Sequence, residues 1–119
     1  MAINPNAPLP ALLEPIFQDV LWDDWAALDP DKLRREDVDD GEIFKQVGSI
    51  PAGWIVSQLG LSDYRIGDAQ ITEEGNAVRN MGSATVDHLA QLVSYLKMQA
   101  RDRIGLIMHD SIDYENALK

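Results

Sequence analysis

The nineteen residues from Thr85 to Arg103 constrain the fold of this chain more than any other stretch. Val86, Leu89, Ala90, Val93, Leu96 and Ala100 fall within roughly a third of a helical wheel turning about 100° per residue. Asp87, Gln91, Ser94, Met98 and Asp102 take the opposite side. Thr85 carries a hydroxyl that can accept a hydrogen bond from an orphan N–H of the first turn, the role of an N-cap. Arg101 and Arg103 sit in the last turn, where cations favour the negative end of the helix dipole. Gly105 follows as the stop. A helix with one continuous apolar face needs that face covered, so the rest of the chain is expected to pack around it.

At 119 residues the chain is long enough for one domain with its own core. A hydrophobic content of 45% with 25% charged residues fits a folded protein and argues against a disordered one. The absence of cysteine excludes a disulfide framework, a thiolate metal site and a cysteine nucleophile. Met1 to Pro10 has neither a basic segment nor an apolar run, so it does not read as a signal peptide. No window reaches the roughly 18 to 20 apolar residues that span a bilayer, and a cytoplasmic setting is the default expectation. The net charge of −10 disfavours nucleic acid and anionic membrane as direct partners, and it permits a basic protein partner.

Residues 1–13 hold the prolines Pro5, Pro8 and Pro10 and read as an extended N-terminal arm preceding a single helical domain, 14–119. Pro15 suits the first turn of a helix running to about Leu28, with Phe17, Leu21, Trp25 and Leu28 in one stripe. Trp22 falls off that stripe, on a face shared with Asp19 and Asp23. An indole flanked by carboxylates is a surface that can anchor a partner. From Asp19 to Glu42 there are ten acidic residues against three cations, a local net of −7. Asp29-Pro30-Asp31 opens a short expected helix through Arg35. Asp37, Asp39 and Asp40 follow in a carboxylate-rich turn ending at Gly41. Its register fails that of a calcium-binding EF-hand loop, because Gly48 stands where the bidentate Glu is needed.

Gln46 to Ser62 carries no charge and reads as a buried helix capped by Ser49, with Pro51 in its first turn and Gly60 at its end. Tyr64 to Ile71 reads as a short hairpin turning at Gly67-Asp68, a pair suited to a type II′ turn. Thr72 to Gly82 reads either as a short helix or as a turn followed by a strand. A last helix is expected from about Ser111 to Lys119. The order helix, neutral helix, hairpin and Ile71-Thr-Glu-Glu-Gly75 resembles part of a winged helix-turn-helix domain over about residues 42 to 80. That resemblance implies a DNA-reading helix, yet residues 46–62 hold no Lys or Arg.

Chemistry-bearing patterns are few. None of the serines stands in a Gly-x-Ser-x-Gly elbow, and glycine-rich phosphate-binding motifs are missing, so no cofactor and no catalytic residue is assigned. His88 with the downstream pair His109-Asp110 resembles the ligand pattern of helical metal phosphohydrolases, without the further Asp from a separate helix that such sites need. No metal site is assigned on that basis.

The sequence therefore predicts a mainly α fold, a single small domain of four to six helices with one short β-hairpin near 64–71. The expected function is non-enzymatic protein–protein interaction, as a structural or assembly subunit of a larger complex such as a viral particle. Trp22, Asp19, Asp23, Asp37, Asp39 and Asp40 would form its partner-binding surface. The partner is expected to be a protein, the same chain in an oligomer or a different one. An acidic nucleic-acid mimic that inhibits a basic protein is the alternative. A small metal-dependent hydrolase using His88, His109 and Asp110 is the third reading.

Overall fold

The computed structural model describes residues 6–28, 44 and 46–111. Its centre is a sheet of four antiparallel strands in the order β1-β6-β5-β4, backed by one long helix. The strands are β1 (Leu12–Leu13), β4 (Arg65–Ile66), β5 (Ala69–Ile71) and β6 (Val78–Asn80). A second ribbon pairs β2 (Val20–Leu21) with β3 (Ser49–Ile50). Two short helices, α1 (Trp22–Ala26) and α2 (Ala52–Gln58), precede the long α3 (Val86–Ile104).

The architecture is mixed α/β, and the expected mainly α domain of four to six helices is overturned. The error lies chiefly in residues 15–28. Ile16, Phe17, Val20 and Trp25 are buried as the helical stripe required, but Leu21 is 61% exposed and only Trp22–Ala26 is helical. The backbone upstream is extended because it finds partners far along the chain. Phe17 N–H donates to Asn76 Oδ1 at 2.8 Å, and Gln18 N–H donates to the His109 carbonyl at 2.8 Å. A short apolar run reads equally as strand or helix, and such distant partners leave no local trace.

The long helix obeys local rules. Thr85 Oγ1 accepts from His88 N–H, while His88 Nδ1 accepts from Thr85 N–H at 3.2 Å, a capping box with histidine in the place usually taken by Glu. Gly105 ends the helix in the left-handed conformation at φ 75°. Ala90, expected in the apolar stripe, is exposed, whereas Leu89, Leu92, Val93, Leu96, Ala100 and Ile104 are buried. Opposite them stand Ala69, Ile71 and Val78 from the inward face of β5 and β6, also buried. Alternation along the strands sends Arg79 and Leu12, cross-strand neighbours, to the outer face. The hairpin turns at Gly67 with φ 58°, as the first central position of a II′ turn requires, and forms one edge of the larger sheet.

Residues 72–77 form a turn, with Gly75 N–H donating to the Thr72 carbonyl, and β6 follows as a strand. The turn packs on α2 at a pair of glycines. A Cβ on Gly75 would lie 2.5 Å from the Gly53 carbonyl oxygen, and its φ is 88°. The resemblance to a winged helix-turn-helix ends here, since the hairpin is followed by a third strand and β4, β5 and β6 form a continuous meander. Residues 6–17 run extended beside this framework. Leu9 N–H donates to the Ala84 carbonyl, Asn80 N–H to the Ala11 carbonyl and Val86 N–H to the Ala7 carbonyl, and Leu9 is buried. Expectations for the short helix near Asp31, the acidic turn at 37–41 and the last helix to Lys119 lie outside the described residues.

Two substitutions separate local from tertiary determinants. Thr85→Ala should cost about 1 kcal/mol, the loss of one N-cap, and lower the melting temperature by roughly 4 °C. Gly75→Ala combines a strained backbone with a clash against Gly53, and should cost about 2 kcal/mol or more. Thermal melts followed by circular dichroism check both. Equal effects would show that the glycine contact yields easily.

Candidate functional site

After Gly105 the chain turns back along α3, and the segment 105–110 is pinned on its other side to residues 16–18. Gln18 N–H donates to the His109 carbonyl, Ser111 N–H donates to the Ile16 carbonyl, and Phe17 pairs with Asp110 in an antiparallel bridge. Held extended in this way, the segment alternates. Leu106 and Met108 are buried, while Ile107 and His109 project outward. Ile107 is 63% exposed, unusually bare for an isoleucine, and with His109 it forms a ridge between two grooves.

The first groove, about 400 Å³, is walled by Gln18, Asp19, Leu21, Asp24 and Leu28. The second, about 490 Å³, is walled by Ser94, Lys97, Met98 and Arg101, which lie along one face of α3. Lys97 Nζ donates to Asp110 Oδ1 at 2.6 Å and ties the helix to the returning segment. That bond holds the Asp110 carboxyl below the usual carboxylate range, against the opposing effect of its partial burial. A third depression, about 570 Å³, lies at the outer side of the sheet. It is acidic, with Glu14, Asp63, Glu73 and Glu74 around Arg79, and the buried Thr72 hydroxyl at its wall has no hydrogen-bond partner among the described residues.

The described residues that sequence reasoning grouped have different surroundings. Trp22 is half-buried against the core, and its N–H on the backbone donates to the Gly48 carbonyl. Asp19 Oδ1 accepts from Ala52 N–H at 3.2 Å, so this carboxylate meets the first turn of α2, where Ser49 was expected to cap. Asp23 is exposed in the first turn of α1. Asp37, Asp39 and Asp40 lie outside the described residues. His88 is committed to the cap of α3, whereas His109 lies beside Lys97, roughly 13 Å further along the helix at 1.5 Å per residue. The two histidines therefore do not converge. Among the described residues, no group of three or more His, Asp or Glu side chains is placed to hold a metal ion.

The comparison with known proteins gives this framework a lineage. Residues 32–114 match the C-terminal domain of UDP-N-acetylenolpyruvoylglucosamine reductase, a span that includes α2, the meander and α3. The chain belongs to that family. UDP-N-acetylenolpyruvoylglucosamine reductase 1 of Bacillus cereus is 32% identical over 74 residues, 61% of this chain and 25% of the relative. The enzyme of Francisella tularensis is 35% identical over 72 residues, covering 59% and 26%. That of a Synechococcus strain is 32% identical over 73 residues, covering 60% and 23%. The chain thus spans about a quarter of the length of the curated relatives it matches.

These relatives overturn the expected function. They are named as reductases, so the expectation of a non-enzymatic structural or assembly subunit, viral particle included, is withdrawn. The acidic mimic and the metal hydrolase fall with it. Composition could not have separated these classes, because an acidic surface is compatible with all of them. Membership also divides the fold. The matched span holds both walls of the second groove, whereas β1, β2 and α1 precede it and complete the core with Ile16, Phe17, Val20 and Trp25.

The Lys97–Asp110 bond has a pH signature. A depressed carboxylate stabilises the fold above its unfolded value near 3.8, and the contribution is lost as pH falls through the lower folded value. Asp110→Asn should therefore be less stable than the parent at pH 6, by under about 1 kcal/mol because both side chains are part-exposed. The gap should close below about pH 4. Denaturant midpoints across that range test this, and a gap independent of pH would assign the effect to something other than the ion pair.

Proposed function

We propose that this chain acts as the C-terminal domain of a UDP-N-acetylenolpyruvoylglucosamine reductase and contributes binding surface for that substrate. The observation that carries the reading is the family match over residues 32–114, more than two-thirds of the chain. The substrate's name specifies the chemistry. Reduction of an enolpyruvoyl double bond adds a hydride equivalent to one carbon and a proton to the other.

The partner in this reading is the remainder of such an enzyme, carried on the same polypeptide or on another. Exposed Leu21 and Ile107 beside the first groove support an interface there, since apolar side chains clustered at a groove favour contact with protein. Among the described residues no helix is long and apolar enough to cross a membrane. A cytoplasmic setting suits a domain handling a nucleotide-activated sugar.

The reading is tested by titrating the isotope-labelled chain with UDP-N-acetylenolpyruvoylglucosamine and following amide shifts. Saturable shifts are expected, with UDP-N-acetylglucosamine binding about tenfold more weakly, a difference of about 1.4 kcal/mol. Unchanged spectra, or equal affinity for the two sugars, would remove substrate binding from this domain.

A further inference from the structure

We propose that the second groove, between α3 and the returning segment 107–109, binds an organic phosphate with its phosphate against Lys97, Arg101 and His109 and its apolar body on Met98 and Ile107. The proposal does not rest on the reductase reading.

Three observations carry it. First, among the described residues that wall this groove the charged side chains are cations, Lys97 and Arg101, with His109 opposite and no carboxylate. That is notable in a chain of net charge −10. The other two depressions each contain carboxylates, Asp19 and Asp24 in one and Glu14, Asp63, Glu73 and Glu74 in the other. Second, the cations follow from regular structure. Lys97 and Arg101 are four residues apart on α3 and stack on one face, while the strand-like alternation of 107–109 sets Ile107 and His109 across from them. Lys97 is held in place by Asp110, which lies outside the groove walls. Among the described residues the Arg101 guanidinium meets Asp102, at 3.3 Å and with both side chains about 60% exposed, a weak contact that leaves it open to a ligand.

Third, the groove is amphipathic. Met98 is 39% exposed and Ile107 63% exposed, so two apolar side chains border the cationic wall. A bare inorganic anion would leave them in water. A phosphate ester on a ring would cover them, and methionine adapts its shape to such a body. The geometry therefore favours a phosphate monoester carrying an apolar or aromatic group over free phosphate.

The test uses the whole chain with phenyl phosphate and inorganic phosphate as probes, followed by amide shifts at about 20 mM salt. Phenyl phosphate should bind with a dissociation constant near 1 mM and at least about tenfold tighter than inorganic phosphate, with shifts confined to 94–101 and 107–110. Binding should weaken severalfold at about 300 mM salt, where exposed charges are screened. Arg101→Glu should abolish it without changing the melting curve, since Arg101 is a surface residue. Met98→Ser should weaken phenyl phosphate while sparing inorganic phosphate. Shifts centred on Arg65 or Arg79, no shifts at all, or undiminished affinity in Arg101→Glu would overturn the proposal. Because the probe contains no nucleotide or sugar, failure here and failure of substrate binding remain distinguishable.

Discussion

The burial of one face of α3 against the inner side of the meander is the interaction on which this structure depends. Six apolar residues of the helix, from Leu89 to Ile104, disappear from solvent against Ala69, Ile71, Val78 and their neighbours. At about 1.5 to 3 kcal/mol for each large side chain, this layer is the dominant favourable contribution among the described elements. Both ends of the helix are anchored independently of it, by Thr85 and His88 at one end and Gly105 at the other. A helix so fixed presents its polar face in a defined register, which is why Lys97 and Arg101 share a groove.

The N-terminal segment is attached by a different kind of contact. It contributes little regular structure, yet Asn76 and Asn80 bind it through their side-chain amides. Asn76 Oδ1 accepts from Ile16 and Phe17 N–H, and its Nδ2 donates to the Phe17 carbonyl. Asn80 Nδ2 donates to the Leu9 carbonyl, while Oδ1 accepts from Gly82 and Ala84 N–H. Asn76 thus satisfies three backbone groups of residues 16–17 and Asn80 satisfies groups on two segments at once, in places where an unpaired N–H or carbonyl would be costly. Neither residue stood out in the sequence, because a lone asparagine in a turn or at a strand end carries no pattern of its own.

Family membership and the grooves bear on function at different resolution. The family defines a reductase lineage while the chain covers about a quarter of its relatives' length. The grooves define where this chain offers chemistry of its own. Both lie beside the segment 105–110, whose alternation places Ile107 and His109 outward. Several of the acidic residues that dominate the sequence bind the framework itself. Asp19 meets the first turn of α2, Asp68 accepts from Ser83 N–H and Arg65, and Asp110 holds Lys97. These three carboxylates therefore have structural work inside the fold.

The sequence alone determined what depends on neighbours within one or two helical turns. The start and stop of α3, its buried face and the turn at Gly67-Asp68 were legible because caps, periodicity and turn chemistry act over about four residues. Tertiary structure alone decided the rest. Whether Ile16, Phe17 and Val20 belonged to a helix or an extended segment turned on Asn76 and His109, some 60 and 90 residues away. Which residue met the start of α2 turned on Asp19, 33 residues upstream. Which cations shared a groove turned on the reversal after Gly105. Backbone donors and carboxylates accept any partner of suitable geometry, so their choice is made by the folded chain and leaves no periodic trace in the order of its residues.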